Sequence, residues 1–320
     1  MTQKYENTDR ADRFEVVVIG GGAAGLSAAL VLGRARRRVL VVDAGEPRNA
    51  PAAHMQGYLS RDGMPPAEFL AEGRREIEAY GVELVRDRAV DVVRDDADGF
   101  DVILAGGRTV HGRRLVVATG LVDELPPVPG IAERFGRDVL HCPYCHGWEV
   151  RDQAFGVLAT TVMSVHQALM LTQWSKDVTL FLHTIDENEL SDEDLRKLAA
   201  AGVKVVPGEV AALAVEDDHL TGVRLADGST HDRSVVFVAP RFVPRTELLA
   251  RLGADLEETP FGVYATVDET GRTTVPGVWS AGNATSFTEQ VVNAAAAGYR
   301  AAVAINGDLI FTDIETAAAP

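Results

Sequence analysis

The chain has 320 residues, 46% of them hydrophobic, with 47 Asp and Glu against 31 Lys and Arg and a formal net charge of −16 at pH 7. That apolar content fills the cores of two domains or one large one, while so much negative charge repels a nucleic-acid backbone and an anionic membrane alike. No stretch approaches the roughly 20 apolar residues of a membrane span, and the opening MTQKYENTDRADR lacks the apolar h-region of a signal peptide; residues 1–13 read as a polar disordered arm, and the expected location is the cytoplasm.

Residues 14–30, FEVVVIGGGAAGLSAAL, turn from a β-branched run into glycines and then into small residues at helical spacing. This is strand, tight turn, helix. Gly20, Gly22 and Gly25 fit G-x-G-x-x-G: the first permits the turn, the second lets a pyrophosphate approach the backbone, and the third lets helix and strand pack closely. The helix N-terminus then faces the phosphates with free N–H groups. A second strand, RVLVVD, ends in Asp43, placed to accept hydrogen bonds from a ribose. The bland alternative is an ordinary βα turn.

Farther on, VVATG (residues 116–120) runs into LVDELPPVPG, whose prolines suggest a connection between domains. APRFVPR, residues 239–245, is a second linker candidate. Between them stand the only two cysteines, in HCPYCHGWE, residues 141–149. Three readings compete for the pair. A structural disulfide is at odds with a reducing compartment, and two cysteines do not frame a fold of this size. Zinc needs four ligands; there is no second CxxC, and His141 and His146 sit in the same short segment as the thiols, so no metal is expected. A catalytic dithiol is the favoured reading. Pro143 suits the first turn of a helix, so Cys142 falls at a helix N-terminus, where the dipole favours a thiolate and lowers the pKa. Residues 155–182 repeat the strand, turn, helix, strand order. Near the end, TVPGVWSAGNATSFTEQVVNAAAAGYRAAVAI reads as a short strand running into Gly282-Asn283 and then a long alanine-rich helix.

The N-terminal GxGxxG, the middle VVATG, the late GVWSAGN and the closing small-residue helix together resemble the thioredoxin reductase-like FAD flavoproteins over nearly the whole chain. The resemblance implies an α/β fold of two Rossmann-like, three-layer ββα dinucleotide-binding domains, the second inserted in the first as in low-molecular-weight thioredoxin reductases. The expected division is an FAD-binding domain from 14–122 and 241–320, with 123–240 inserted and carrying the CxxC. It further implies FAD held by Gly20, Gly22, Ala23, Ala24, Gly25, Asp43, Ala44, Val90, Ala118, Thr119 and Gly120. Gly282 and Asn283 are implied near the ribityl chain, and the backbone N–H groups of Gln290 and Val291 at the pyrimidine edge. The family usually has Asp where Asn283 stands; an amide still bonds a ribityl hydroxyl. Arg48, Asn49 and His54, in the loop of residues 44–63, are candidate contacts to the adenine and isoalloxazine, or solvated loop residues. A homodimer is the family expectation.

In the resembled reductases the inserted domain holds NADPH. Here Ala159-Thr160-Thr161 stands at the glycine triplet and Ser164 at the close-packing position, and His183-Thr184 replaces an arginine pair that clamps the ribose phosphate, with a run of acids following. Side chains there crowd a pyrophosphate and acids repel it, so NADPH binding is not expected and this domain is read as scaffold and dimer surface. After the second cysteine the family has Asp-Gly; this chain has His146-Gly147. That pattern resembles the dithiol oxidases that close disulfides in natural products such as gliotoxin, holomycin and romidepsin. It implies Cys142 as the thiol that exchanges with a small-molecule dithiol, Cys145 as the thiol that passes electrons to the flavin, His146 as general base, and molecular oxygen as final acceptor, giving hydrogen peroxide. His146 also reads as a helix-surface side chain, and Trp148 as a shelter of the redox centre from water or, preferably, a core residue. Two rivals are a thioredoxin or protein disulfide reductase fed by NADPH or another donor, and a flavin-bearing redox sensor.

Overall fold

A computed structural model describes residues 12–95 and 99–319. The arm expected over residues 1–13 lies, as far as residue 11, outside the described residues; Arg13 already opens the first strand. Two compact units emerge, one from residues 12–50, 66–122 and 242–319, the other from residues 51–65 and 123–241.

The first unit is built on a seven-stranded sheet. Glu83–Val85, Val39–Val42, Arg13–Ile19 and Thr109–Val117 run parallel in that order. Val39–Val42 is buried at every position, as a parallel strand covered on both faces must be. The nine-residue strand Thr109–Val117 is shared: its first half pairs antiparallel with Gly99–Leu104, its second half parallel with Val278–Ser280. That handover brings the C-terminal third of the chain beside the N-terminal strand. One face is covered by the helices Ala23–Arg34 and Val291–Ala318, whose Leu26, Leu32, Ala301, Ala302, Ile305 and Leu309 share a core with Trp279. The two helices touch backbone to side: a Cβ at Gly298 would lie 2.0 Å from the Ala24 carbonyl oxygen. Arg114 Nε to Asp308 at 2.6 Å pins the long helix to the sheet.

The second unit carries a five-stranded parallel sheet in the order Lys204–Val206, Val178–Phe181, Phe155–Leu158, Val235–Val238, Val139–Leu140, with a three-stranded antiparallel sheet of residues 210–232. Residues 51–65, expected with the FAD-binding unit, fall here instead. The Pro51 carbonyl lies against Gly136, at φ +86°, so closely that a Cβ there would approach the oxygen to 2.6 Å. His54 falls in this second unit and is exposed. Among the described residues no helix is long and apolar enough to cross a membrane.

Candidate functional site

In the first unit Gly20 turns the chain at φ +110°, and a Cβ there would lie 2.2 Å from the Ala118 carbonyl oxygen; one at Gly25 would lie 1.8 Å from the Gly20 oxygen. Both glycines are dictated by close approach. Gly22 differs, because a Cβ there meets nothing within 4 Å. It is the N-cap of helix Ala23–Arg34, which has no side-chain cap. Leu26 N–H donates to the Gly22 carbonyl at 2.9 Å, so the N–H groups of Ala23, Ala24 and Gly25 precede the first intrahelical bond and have no partner within the helix. This is a cradle shaped for a diphosphate.

Asp43 is buried. Its Oδ1 accepts from the N–H groups of Gly21 and Gly45, each at 3.2 Å, and its Oδ2 meets Arg86 Nη1 at 2.9 Å and Arg74 Nη2 at 3.5 Å. The carboxylate implied for a ribose thus also ties the glycine turn to the bend that contains exposed Ala44. Gly120, at φ +70°, opens onto free space; its neighbour Thr119 donates through Oγ1 to the Arg245 carbonyl at 2.6 Å, and Arg245 N–H donates back to the Gly120 carbonyl at 2.9 Å.

Gly282, at φ +77°, joins the two helix starts: its Cβ would lie 3.1 Å from Ala24 Cβ and 3.8 Å from Ala294 Cβ. Asn283 Nδ2 donates to the carbonyls of Ser286 at 2.9 Å and Glu289 at 3.1 Å, while its Oδ1 accepts from Arg48 Nη1 at 3.4 Å. Phe287 anchors this loop against Phe261 and Phe242, with ring centroids 4.4 and 5.5 Å away. Gln290 is the N-cap of the 28-residue helix Val291–Ala318, again without a side-chain cap. Glu289, which the sequence reading passed over, has a buried Oε2 without a hydrogen-bond partner among the described residues, and burial pushes its carboxyl up from the usual value, opposed by Arg300. Asn49 is half-buried; Val90 is exposed at a bulge of the edge strand Ala89–Asp95, three strands from Arg13–Ile19, and stands apart from the glycine cradle.

In the second unit Cys142 and Cys145 form a disulfide. Pro143 opens the short helix Pro143–His146 with Cys142 as N-cap, whose carbonyl accepts from Cys145 N–H at 3.2 Å and His146 N–H at 3.3 Å. Gly147 ends it where nothing larger fits, since a Cβ would come within 2.5 Å of the Pro143 oxygen and 3.0 Å of the Trp174 ring. Both ring nitrogens of His146 are buried without a partner among the described residues. Burial pushes its pKa below the usual 6.5, against a weaker pull from Glu149. The shift favours the neutral imidazole, next in sequence to a half-buried disulfide. His141 is held instead, its Nδ1 3.0 Å from the Val238 carbonyl, and its own carbonyl accepts from Gln167 Nε2 at 2.8 Å. Trp148 is not a core residue: it is 64% exposed, like Tyr144 at 74%, because it lies past the helix end with the Arg151 guanidinium 4.0 Å over its ring.

The second strand-turn-helix unit is closed on itself. Thr160 N–H donates to Ser164 Oγ at 3.4 Å, and Ser164, Val165 and His166 donate to the carbonyls of Thr161, Val162 and Met163 at 2.9 to 3.2 Å. Those N–H groups are spent within the turn. His183, at φ +51°, points its Nδ1 inward to accept from Val210 N–H at 3.1 Å, and Asp186 and Glu189 form a capping box on the next turn.

The profile of the pyridine nucleotide-disulphide oxidoreductase family matches residues 14–298. A relative named thioredoxin reductase sirT, from Leptosphaeria maculans, is 33% identical over 316 residues, 94% of this chain and 96% of its own length. Thioredoxin reductase tcpT of Claviceps purpurea is 32% identical, over 89% and 91%. Among solved structures, that of HlmI is 52% identical with a TM-score of 0.92, covering 97% of this chain and 96% of that one. An oxidoreductase from Agrobacterium tumefaciens is 38% identical with a TM-score of 0.87, over 93% and 99%. With two Rossmann-like units, a glycine cradle and a CxxC disulfide, the chain belongs to the pyridine nucleotide-disulphide oxidoreductase family, as a flavin-dependent oxidoreductase of the thioredoxin reductase-like kind.

Proposed function

We propose that the chain is an FAD-dependent dithiol oxidase that closes an intramolecular disulfide in a small-molecule dithiol. The observation that carries this reading is the pairing of an exchangeable Cys142–Cys145 disulfide with a half-buried His146 whose two ring nitrogens have no partner among the described residues and whose pKa burial lowers. One substrate thiol loses its proton to His146 and attacks Cys142 Sγ; the Cys142–Cys145 bond breaks and a mixed disulfide with Cys142 forms, Cys145 leaving as thiolate. The second substrate thiol then attacks its own partner sulfur and expels Cys142. The substrate departs as a disulfide, and both cysteines are left reduced. Tyr144 and Trp148 border this exchange as exposed aromatic surface.

The first unit fits FAD through the space beside Gly22 and the unclaimed first-turn N–H groups. Gly20 to Gly25 would hold the diphosphate, Asp43 the adenosine ribose, Gly282 and Asn283 the ribityl chain, and Gln290 and Val291 the pyrimidine edge. Bound there, FAD would supply a two-electron acceptor for the reduced pair, with molecular oxygen as the final acceptor and hydrogen peroxide as the product. NADPH has no part in this reading, because the second turn spends its N–H groups internally and carries acids in place of cations.

The relatives named thioredoxin reductase favour a second reading, reduction of protein disulfides from NADPH. Anaerobic mixing of the FAD-loaded protein separates the two. A reduced holomycin-like dithiol should bleach the flavin absorbance and NADPH should not; bleaching by NADPH alone refutes the oxidase. We further propose a homodimer. Val292, Tyr299, Val303, Ile310 and Ile314 are exposed on the long helix at spacings that confine them to an arc of about 60° at 3.6 residues per turn, an apolar stripe suited to a second copy.

A further inference from the structure

Two uncapped helix N-termini meet at Gly282, one starting at Ala23 and the other at Val291. Helix N-termini favour negative charge. FAD carries such charge in two places: at its diphosphate always, and at the pyrimidine edge of the ring once two electrons have arrived. The open space beside Gly22 suits the first, and on the FAD placement proposed above the second helix start faces the ring. There the residue before the N-cap is Glu289, held in place by Asn283 Nδ2 on its carbonyl at 3.1 Å, with Oε2 buried and unpartnered among the described residues.

A fixed carboxylate is the wrong neighbour for a ring that becomes an anion, because like charges in a desolvated site repel strongly. A carboxyl that gains a proton as the ring gains electrons removes the conflict. We infer that Glu289 is the redox-linked proton carrier of the flavin site, ionised while the flavin is oxidised and protonated when it is reduced. The atoms balance. A dithiol gives up two electrons and two protons; the ring takes both electrons and one proton, leaving one negative charge, and Glu289 takes the other proton. Oxygen then receives two electrons, the ring proton and the Glu289 proton, which makes hydrogen peroxide and restores the carboxylate.

The charges around Glu289 permit this. Arg300, on the same helix, favours the carboxylate. Arg48 reaches Asn283 Oδ1, and the first turn of Ala23–Arg34 carries no acid. Burial already holds the carboxyl above its usual value, and a negative charge arriving on the ring would push it further in the same direction.

The inference rests on the FAD placement above but not on the dithiol, so the test uses photochemical reduction of the FAD-loaded protein. Each proton taken up with two electrons is a tenfold change per pH unit, or ~30 mV. Over the window in which Glu289 titrates, the wild-type midpoint potential should fall by ~60 mV per pH unit and that of Glu289→Gln by ~30 mV; protonation of the ring itself appears in both and cancels in the comparison. Reduction should also raise a carboxylic-acid carbonyl band in the infrared difference spectrum, absent in Glu289→Gln and moved in Glu289→Asp. Equal slopes in wild type and Glu289→Gln, or a wild-type spectrum without that band, overturn the proposal. Should Glu289→Gln lose its flavin, the wild-type band and its displacement in Glu289→Asp decide alone.

Discussion

Replacing His146 by Phe should make the protein more stable and nearly inactive. The two ring nitrogens of His146 are buried without partners among the described residues, and an unsatisfied buried polar atom costs about 1–3 kcal/mol. Phe keeps the aromatic bulk and removes both atoms. Because the residue is only half-buried, the gain should sit toward the lower end, about 1–2 kcal/mol, which raises Tm by a few degrees. Activity should move the other way: a general base contributes ~10²–10⁴-fold, so anaerobic flavin reduction by a dithiol should slow by that factor. The pH dependence has a fixed sign. With the folded pKa below the usual 6.5, the unfolded chain binds a proton just below pH 6.5 that the native chain does not. Stability is therefore lost as pH falls from 6.5 toward the folded pKa, and His146→Phe should lose less. His183, also lowered by burial, keeps its own share in both proteins. Thermal melts followed by circular dichroism between about pH 5 and pH 8, paired with stopped-flow reduction, measure all three quantities. A variant that melts lower than wild type at pH 7, or that keeps its reduction rate within about threefold, would refute the role of His146.

Two more substitutions probe the cradle. Gly25→Ala forces a Cβ to 1.8 Å from the Gly20 oxygen, so the turn must open; the expected loss is at least about 1–3 kcal/mol, with flavin lost on gel filtration. Asn283→Asp brings the family's usual residue but turns a donor to the Ser286 and Glu289 carbonyls into an acceptor facing acceptors, at about 1–3 kcal/mol. The new charge facing Arg48 at 3.4 Å returns at most about 1 kcal/mol. FAD should bind more weakly, and an unchanged Kd by fluorescence titration would show that the loop does not depend on the amide.

The sequence disclosed what local geometry dictates. Gly20 and Gly25 are legible because close backbone approach allows nothing else, and Pro143 announces a helix start because its φ and missing N–H suit only such a place. Long-range placement was not legible. Residues 51–65 follow the cradle in sequence yet pack with the second unit, where Pro51 meets Gly136; no local pattern encodes that choice. Trp148 reads as core by residue type, but the end of a four-residue helix leaves it in solvent with Arg151 as its cover. Glu289 resembles any surface acid until Phe287 and Asn283 fix its loop. The signal available in hindsight is an acid immediately before a helix N-cap in an otherwise uncharged segment.

The chain contains its own control for nucleotide binding, since both units present a strand, a turn and a helix. In the first, Gly22 opens onto space and the first-turn N–H groups remain available. In the second, four N–H groups from Thr160 to His166 are bonded within the turn, and Ser164 fills the gap with its hydroxyl. A hydrogen bond to a charged group contributes about 1.5–3 kcal/mol. On the oxidase proposal, a diphosphate seated at the second turn would forgo three of them, an expected weakening of about 4.5–9 kcal/mol, a thousandfold or more. The acids from Asp186 to Asp194 act in the same direction and add to the loss. On the oxidase proposal this difference sets the direction of electron flow: with entry through a nucleotide disfavoured by that margin, the Cys142–Cys145 disulfide is the route by which electrons reach the flavin, and a dithiol is the substrate that can deliver them.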